Sequence, residues 1–450
     1  MTTTVLWFRR DLRLADHPAL VAALDAGPVV PLFVLDPALL NPAGAPRTAF
    51  LFRCLRSLDE SLGGRLVIRT GDPVDVVPQV AAEADAETVL VSADFGPYGR
   101  RRDQDVARAL RAAGRRLTGI GSPYAVDPGR TVKTDGTPFR VFSPYYRAWR
   151  GHGWAPPAPA PDEVAWAEGL PSHGIPDDLP VEATLPPAGE AAAMARLEHF
   201  LAGPIDDYAA RRDSPADDAT TRLSPHLRWG CIHPRQILAR LDQSTSHEKL
   251  RSELAWREFY ADVLWHVPES ARHSLQPKMT TMQLDAGPQA DERFRAWTEG
   301  RTGFPLVDAG MRQLREEAWV HNRVRMVVAS FLVKDLHIDW TRGARWFMRG
   351  LVDGDLASNN HGWQWVAGTG TDPAPYFRIF NPVTQGREHD PTGDYVRRWV
   401  PELSGVRGPA VHEPWKLPGG VPAGYPERIV DHGAERAESL RRHAALKLDD

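Results

Sequence analysis

The sequence predicts an α/β fold class: an N-terminal domain with a doubly wound, mostly parallel sheet, then a long linker and an all-helical C-terminal domain. Short apolar runs alternate with helical segments up to about residue 120, as strands and crossover helices do. Pro, Ala, Gly and acidic residues dominate residues 151–189, where no periodicity survives. Beyond residue 190 strand signals nearly vanish and helical periodicity takes over. We expect domains over 1–128 and 190–450, joined by a linker over 129–189.

The elements of the first domain can be placed individually from its apolar runs. Strands are predicted at Thr4–Phe8, Val29–Leu35, Arg65–Thr70 and Thr88–Ser92, with a weaker strand near Leu117. Helices are predicted between them at Pro18–Ala26, Arg47–Gly63, Val74–Glu83 and Asp103–Ala113. A ligand is expected in the crevice at the carboxyl ends of the strands. No Gly-x-Gly-x-x-Gly sequence follows the first strand, which disfavours a dinucleotide-dependent dehydrogenase.

Composition limits the classes of protein that this chain can represent. Its 450 residues carry a net charge of −4 and two cysteines, Cys54 and Cys231, so a disulfide framework and a cysteine-based zinc site are excluded and no metal site is predicted. Arg9, Arg10 and Asp11 fall where a signal peptide would be apolar, and no run of 18 apolar residues is present. We expect a cytoplasmic protein without membrane contact, and any nucleic-acid surface must be a local basic patch.

The most informative stretch of the chain is Asp353–Trp365. If a loop here leads into a helix, Asp355, Asn359 and Trp363 lie four residues apart on one face. A carboxylate, an amide and an indole are an unusual choice for a core stripe. The carboxylate can hold ribose hydroxyls or a ring N–H, the amide can bond a heteroaromatic nitrogen that gains and loses a proton, and the indole can pass an electron. Together they suit a redox heterocycle such as a flavin.

Two more segments of the second domain combine polar residues in patterns that suit ligand binding. In Ala219–Pro225, hydroxyl side chains precede a predicted helix, and a turn of this kind can hold an anion with its backbone N–H groups. In the predicted helix Glu253–Tyr260, the side chains of Glu253, Trp256 and Arg257 share a face. An indole can stack on a base, a guanidinium can reach a phosphate or a base edge, and a carboxylate can accept from an imide N–H.

Asp353–Trp365, continued by Ala367–Asp372 and Tyr376–Pro382, resembles the FAD-contacting core of the photolyase/cryptochrome family. The chain is most similar to the class I cyclobutane pyrimidine dimer photolyases. Trp7–Arg13 resembles the N-terminal signature of the family, and Thr220–Ser224 resembles its pyrophosphate-binding segment, so the resemblance covers nearly the whole chain. It implies a DNA-repair lyase, a flavoprotein that splits cyclobutane pyrimidine dimers in UV-damaged DNA with electrons from light-excited, fully reduced FAD.

The resemblance implies a set of cofactor-binding residues in the helical domain. They are Tyr208, Thr220, Thr221, Arg222, Leu223, Ser224, Asp353, Gly354, Asp355 and Asn359. Asn359 is also implied as a catalytic residue at flavin N5, because an amide can donate to the N5 lone pair or accept from N5–H.

The resemblance also implies an electron path. Trp363 and Trp340 match the flavin-proximal and middle members of the family's tryptophan chain, which makes both implied catalytic residues. The outermost member should lie before Trp297, yet residues 278–296 contain no Trp. Photoreduction by an external donor is therefore expected to be absent or to use another aromatic residue such as Trp297 or Trp346. Repair needs only the reduced flavin, so the implied function does not depend on this path.

A further implied set of residues contacts DNA: Arg212, Glu253, Trp256, Arg257, Asn322, Arg323 and Gln385. Trp256 would stack on the lesion. Glu253 would accept from a thymine N–H or protonate a radical, which makes it an implied catalytic residue. Relatives that repair (6-4) photoproducts tend to place a His where Asn322 stands, so Asn322 favours cyclobutane dimers. One family tryptophan on the FAD side is Leu250 here. Contacts with phosphates imply that DNA binding weakens with salt.

A second, light-harvesting pigment is implied at the ligand edge of the first domain, with Asp94 and Arg102 as its contacts. Folate-binding members place a Glu near the position of Gly99, so we expect an 8-hydroxy-deazaflavin, with a flavin second and folate least favoured. We expect a monomer without an obligate protein partner. The alternatives are a cryptochrome-like blue-light photoreceptor without repair activity and, more remotely, a flavin oxidoreductase that turns over in the dark.

Overall fold

The N-terminal part of the chain forms a five-stranded parallel sheet in the order β3-β2-β1-β4-β5, with helices on both faces. This architecture confirms the predicted fold class. Its strands are β1 (Thr4–Phe8), β2 (Val29–Leu35), β3 (Val67–Thr70), β4 (Thr88–Val91) and β5 (Arg116–Gly119). Its helices are α1 (Pro18–Ala26), α2 (Pro37–Leu40), α3 (Ala45–Ser61), α4 (Pro73–Glu83) and α5 (Pro97–Ala112). The structure is a computed structural model that describes residues 2–161, 164–372 and 377–446; Tyr376 of the motif above lies outside these ranges.

Different helices cover the two faces of the sheet, because alternate strand residues point to opposite sides. Val5 and Trp7 of β1 belong to a core with residues of α4 and α5. Leu6 and Phe8 belong to a second core with residues of α1 and α3, and that core continues into the helical part of the chain. The sheet is therefore packed directly against the domain in which the candidate site lies.

Helix α5 begins at Pro97, before the predicted start at Asp103. Proline suits the first position of a helix, because its ring presets φ and the missing N–H is not needed there. The early start places Arg102 in the second turn of α5, while Asp94 stays in the turn that follows β4. Both residues remain at the carboxyl edge of the sheet.

The segment predicted as a linker contains one helix, α6 (Phe142–His152), among its described residues. Phe142 and Trp149 on one face of α6 are buried, and their helical spacing is the signal from which the helix could have been predicted. The described residues between 153 and 189 otherwise lack regular structure, apart from a single bridge between Val29 and Trp166. The domain boundaries at 128 and 189 stay predictions.

From residue 190 onward the described residues form helices and no strand. These helices are α7 (Glu190–Leu201), α8 (Tyr208–Arg211), α9 (Ser224–Trp229), α10 (Pro234–Leu238), α11 (Thr245–His266), α12 (Pro288–Glu299), α13 (Pro305–Glu317), α14 (Asn322–Ser330), α15 (Trp340–Gly350), α16 (Leu356–Ala367), α17 (Pro382–His389), α18 (Asp394–Trp399) and α19 (His432–Ala445). Within the described ranges, every helix is too short or too polar to cross a bilayer.

The turn after β1 links the sheet to the helical domain. The Leu12 N–H donates to the Trp229 carbonyl oxygen at 3.1 Å, and the Arg13 guanidinium donates to the Gly230 carbonyl oxygen at 3.0 Å. Gly230 has a φ of 68°, and a Cβ at this position would collide with the Arg10 carbonyl, so the turn requires glycine here. The motif that marks the start of the chain therefore docks on the end of α9.

A buried carboxylate fixes helix α11 against the segment that connects the two domains. Glu258 accepts from the backbone N–H groups of Ala125 at 2.6 Å and Val126 at 3.0 Å, and from Nε1 of Trp149 at 2.6 Å. Burial raises the pKa of Glu258 to about 7, although the three donors favour the ionised form. These bonds hold the helix that carries Glu253 and Trp256.

Candidate functional site

The predicted helix after Asp353 is α16, and Asp355 is its N-cap, with Oδ1 accepting from the Ser358 N–H at 3.1 Å. Asn359 and Trp363 follow on α16, one turn apart, and Trp363 is buried. The Trp363 ring lies so close to α15 that a Cβ on Gly343 would collide with it. The structure therefore has Asp355, Asn359 and Trp363 four residues apart along one helix, as the sequence interpretation requires.

The orientation of the Asn359 amide is set by its neighbours. Its Nδ2 donates to the Ala344 carbonyl oxygen at 3.1 Å and to Oδ1 of Asn360 at 2.8 Å. A backbone carbonyl can only accept, so the NH₂ group of Asn359 must face Ala344. Both amide protons are thus used inside the protein, and Oδ1 is the atom that Asn359 can offer to a ligand.

Asp355 is held by arginines from three different parts of the chain. Its Oδ2 accepts from the Arg10 guanidinium at 2.8 Å. Burial alone would raise the pKa of Asp355, but the positive charges of Arg10, Arg228 and Arg257 outweigh it and hold this pKa well below its usual range. Arg228 also donates to the Gly354 carbonyl oxygen at 2.9 Å. The loop before α16 is therefore a charged anchor between the two domains.

Asp353 joins the start of α16 to the predicted phosphate-binding segment. Its Oδ2 accepts from the Ser224 hydroxyl at 2.6 Å and from the Arg325 guanidinium at 2.8 Å. The Ser224 hydroxyl in turn accepts from Nε1 of Trp319 at 3.2 Å. This chain of hydrogen bonds brings together two predicted cofactor residues, Ser224 and Asp353, that are far apart in sequence.

The segment Thr220–Ser224 forms a tight loop before α9. Arg222 has a φ of 49°, a left-handed conformation that is uncommon for a residue with a side chain and that lets successive N–H groups converge on an anion. Arg196 donates to the carbonyl oxygens of Thr220 at 2.7 Å and Thr221 at 2.9 Å. These bonds pull the carbonyl groups to one side and fix the strained turn. Tyr208, the remaining predicted cofactor contact, is buried at the start of α8.

The residues beside α16 fit the cofactor that the motif implies. Gly362 lies between Asn359 and Trp363, and no described atom comes within 4 Å of the position that a Cβ on Gly362 would take, so the helix has open space beside the amide. The bond between Ser224 and Asp353 places the hydroxyl-rich loop next to the start of this helix. An amide for a heteroaromatic ring and a turn for phosphates are the two groups that FAD requires.

Four predicted DNA contacts lie at the ends of α8 and α14 and in the middle of α11. Arg212, which caps α8, forms an ion pair with Glu253 of α11. Arg323 of α14 pairs with Asp213 at 3.0 Å. Asn322 is exposed at the first position of α14. Positive and negative charges alternate in this group, so it can offer hydrogen bonds to a polar ligand without being a strongly basic surface.

Trp256 and Arg257, predicted to share a surface, lie in different environments. The Trp256 ring stacks on Phe142 with centroids 3.7 Å apart and planes 9° from parallel, so the protein covers one face of this indole. The Arg257 guanidinium donates to two backbone carbonyl oxygens, those of Pro123 at 2.9 Å and Leu227 at 3.2 Å. Arg257 is therefore partly buried and held by two backbone acceptors, and its contact with DNA stays a prediction.

Gln385 lies on α17, beside the charged group rather than within it. Its Nε2 donates to Glu388 of the same helix at 3.3 Å. His389, one turn further along α17, has a pKa lowered by burial and by the charge of Arg323. The charge of Arg323 therefore acts on the end of α17, one turn from Gln385.

The predicted electron-transfer residues Trp363 and Trp340 are both buried on neighbouring helices, at 4% and 6% exposure. Nε1 of Trp340 donates to the Ser274 hydroxyl at 3.2 Å. Trp363 meets Trp297 edge to face, with ring centroids 6.1 Å apart. The structure thus gives Trp363 an indole neighbour that lies outside the motif match.

The predicted pigment contacts lie together at the carboxyl edge of the sheet. Arg102 pairs with Asp94 at 3.3 Å and with Asp103 at 2.9 Å. A Cβ on Gly99 would collide with the Asp94 carboxylate. Any side chain at position 99 would therefore displace Asp94, which gives a physical reason why this chain carries no Glu there.

Several residues of the site could not be found from local motifs. They are Arg10, Arg196, Arg228, Trp319 and Arg325. The pair between Arg10 and Asp355 joins positions 345 residues apart, and no spacing pattern reports such a contact. The one available signal was the number of arginines in the segments that surround the recognised motifs.

The parallel sheet, the helical domain and the amide-bearing helix define a two-domain protein of the flavoprotein class. Comparison with known families agrees: the model described as "FAD binding domain of DNA photolyase" matches residues 250–445, and the model described as "DNA photolyase" matches residues 4–162. The deoxyribodipyrimidine photo-lyase of Streptomyces griseus is 45% identical over 98% of this chain and 99% of the relative. The chain therefore belongs to the photolyase/cryptochrome family, which confirms the resemblance drawn from the motifs.

Solved structures resemble the whole chain. A bacterial class III photolyase from Agrobacterium tumefaciens matches with a TM-score of 0.94 and 37% identity, covering 99% of this chain and 98% of that one. A cryptochrome from Synechocystis sp. matches with a TM-score of 0.88 and 28% identity, covering 98% and 99%. An archaeal photolyase from Sulfolobus tokodaii with two FAD molecules matches with a TM-score of 0.85 and 29% identity, covering 99% and 100%. Likeness to class I in particular stays a prediction.

We predict that Asp355→Asn destabilises the fold. Asparagine keeps the N-cap bond to Ser358 but removes the negative charge beside Arg10. The free energy of unfolding should fall by about 2 kcal/mol, because partly buried guanidinium groups lose their counter-charge. Urea unfolding at neutral pH measures this change. Asp394→Asn, which affects an exposed pair with Arg397, should change the free energy of unfolding far less, because solvent screens that pair.

The pH dependence gives a second reading of the same variant. Because the pKa of Asp355 is lowered in the folded protein, its contribution to stability is present above the unfolded pKa of about 3.9 and is lost as the pH falls through the folded value. Wild-type stability should therefore drop more steeply than that of Asp355→Asn in acid below about pH 4. Equal unfolding free energies for both proteins at neutral pH would contradict the anchor role of Asp355.

Proposed function

We propose that this chain is a carbon–carbon lyase that repairs cyclobutane pyrimidine dimers in DNA, with light as the energy source and reduced FAD as the electron donor. The observation that carries the proposal is helix α16. Its N-terminus is held by Arg10 and Arg325, and the side-chain amide oxygen of Asn359, Oδ1, lies beside open space. Relatives matched over their full length support it, since the Streptomyces griseus relative is named deoxyribodipyrimidine photo-lyase.

The FAD-binding roles follow from the contacts around α16. When bound and reduced, FAD supplies an electron under near-UV or blue light. Asn359 would face the flavin ring with Oδ1, the one amide atom that it has to offer. The loop Thr220–Ser224 would hold the pyrophosphate with hydroxyl and N–H groups. The hydrogen bond between Ser224 and Asp353 holds this loop next to the start of the helix.

The lesion-binding roles are assigned to the residues around α11 and α14. A dimer must leave the DNA helix to reach the flavin, at a cost of a few kcal/mol that is least where base pairing is already damaged. Trp256, whose one face is covered by Phe142, would offset part of this cost by stacking on the extruded pyrimidines. Glu253 and Asn322 would offer an acceptor and an amide to the base edges, and Arg323 a contact to the backbone.

We assign a second pigment to the carboxyl edge of the N-terminal sheet, with Asp94 and Arg102 as the residues that shape its site. An 8-hydroxy-deazaflavin is the pigment that we favour over a flavin, and folate is disfavoured because Gly99 leaves no room for a carboxylate side chain. The relative from Sulfolobus tokodaii contains two FAD molecules, which supports a flavin as the second choice. We further propose that the protein acts as a monomer in the cytoplasm.

The repair assay tests the proposal directly. The FAD-loaded protein is reduced with dithionite, mixed with UV-irradiated oligothymidine and illuminated with blue light. We expect the thymine absorbance lost on irradiation to return in the light and to stay lost in the dark. A flavin-loaded protein that changes its binding to a partner in the light and restores no thymine would favour the photoreceptor alternative. Turnover in the dark with a nicotinamide reductant would favour the oxidoreductase.

We predict that Trp256→Ala weakens binding to a dimer-containing oligonucleotide by about 2 kcal/mol, roughly thirtyfold, because base stacking on an indole contributes this much. FAD content should not change. Fluorescence anisotropy with damaged and undamaged DNA measures the effect, and Trp154→Ala, which removes another half-buried indole packed on an aromatic ring, serves as the matched control. Loss of FAD from Trp256→Ala with unchanged DNA affinity would place Trp256 in the cofactor pocket instead.

A further inference from the structure

The motifs supply no surface tryptophan for the electron path that they imply. Trp340, its middle member, is 6% exposed, and no tryptophan occurs in residues 278–296, where the outermost member was expected. A surface tryptophan is needed if an external reductant is to refill the path. Trp363 also has ring contacts that lead away from Trp340.

Trp363 has a second indole neighbour on the side of α12. The Trp297 ring lies with its centroid 6.1 Å from that of Trp363, at 72° between the planes. Phe347 packs against both rings, with centroid distances of 5.2 Å to Trp363 and 6.1 Å to Trp297. Trp297 is fully buried, and its Nε1 donates to the Val328 carbonyl oxygen at 3.0 Å. Aromatic rings therefore fill the space between the two indoles.

Contacts beyond Trp297 lead to the surface. Phe294 of α12 stacks on Trp297 at 5.7 Å and 27°, and it meets Trp346 of α15 edge to face at 6.2 Å. Trp346 is 38% exposed, and among the residues that the structure describes it is the one tryptophan in the exposed class. Trp346 therefore offers an indole that a reductant in solution can reach.

The polar surroundings of these rings suit the passage of a positive charge. A backbone carbonyl bonded to the Trp297 N–H stabilises an indole cation and is too weak a base to remove its proton, so the charge stays mobile. Arg342 lies over Phe294 at 4.3 Å, and its own positive charge is offset by an ion pair with Asp291 at 2.9 Å.

We propose that Trp346 is the surface end of an electron path that runs through Trp297 to Trp363 and the flavin. The inference rests on the proposed function, because it requires bound FAD. Light moves one electron from Trp363 to the flavin, an electron from Trp297 refills Trp363, and an electron from Trp346 refills Trp297. A thiol in solution then gives one electron to Trp346 and releases its proton, and two such turns of the path oxidise two thiols to one disulfide. Phe294 fills the gap without being oxidised, since a benzene ring is harder to oxidise than an indole.

The test illuminates the protein with bound, oxidised FAD in blue light, with dithiothreitol present and oxygen excluded. Reduction of the FAD is measured as the loss of its visible absorption. We expect Trp346→Phe to slow the bleaching by about tenfold, equivalent to about 1.4 kcal/mol in the activation free energy. Trp154→Phe, the matched control, should bleach at the wild-type rate, and Trp340→Phe should slow it less than Trp346→Phe. Wild-type bleaching in Trp346→Phe, or loss of bleaching confined to Trp340→Phe, would overturn the path.

A second variant separates electron transfer from packing. Trp346→Tyr keeps an oxidisable ring, so paramagnetic resonance during illumination should show a tyrosyl radical where the wild type shows a tryptophanyl radical. An unchanged tryptophanyl signal would place the end of the path elsewhere. Trp346→Phe reduced chemically with dithionite should still repair irradiated oligothymidine. If the wild type binds no FAD or repairs no dimers, the proposed function fails. If the wild type binds FAD and repairs dimers while Trp346→Phe bleaches at the wild-type rate, only the electron path fails.

Discussion

The ion pair between Arg10 and Asp355 is the interaction on which the rest of the structure depends. It joins the turn after the first strand to the N-cap of α16, two parts of the chain that no local interaction could bring together. A partly buried pair of this kind contributes little net stability, but an unpaired charge is left at a free-energy cost if the geometry is lost. The contact therefore acts mainly through specificity: it allows one placement of α16 relative to the sheet.

The second aspartate of the loop extends this constraint to the cofactor. Asp353 bonds to Arg325 and Ser224, and through Ser224 to Trp319. The amide of Asn359 is then aligned by Ala344 on the adjoining helix α15. The predicted cofactor contacts are thus oriented by bonds to residues outside that set, such as Arg325, Trp319 and Ala344, which keeps the binding groups in place before the ligand arrives.

The lesion-binding side is built differently. A protein with a net charge of −4 cannot rely on a broad positive field to hold DNA. Arg212 and Arg323 are each paired with a carboxylate, those of Glu253 and Asp213, so their charge is partly compensated. In the proposed function, such a surface would favour an extruded pyrimidine dimer over undamaged backbone.

Much of the fold followed from sequence because the evidence for it was local. Four strands coincide with apolar runs, β5 lies at the weaker strand predicted near Leu117, and α16 begins where the spacing of Asp355 and Asn359 required. The contacts between distant segments were not predictable: Arg257 turns towards interior carbonyl groups, and Phe142 covers Trp256. Both outcomes depend on which segments meet in three dimensions. The guanidinium of Arg257 and the indole of Trp256 marked these residues as functional candidates. The sequence did not show which residues they contact in the folded protein.

The central claim is that the fold directs the side-chain amide oxygen of Asn359, Oδ1, to a flavin ring. The midpoint potential of bound FAD in Asn359→Asp tests it most directly, with Asn41→Asp, the same change at an exposed asparagine of the N-terminal domain, as the control. A carboxylate beside the ring opposes the addition of electrons, so the potential of Asn359→Asp should fall below that of the wild type and of the control. Identical potentials in all three proteins would contradict the claim.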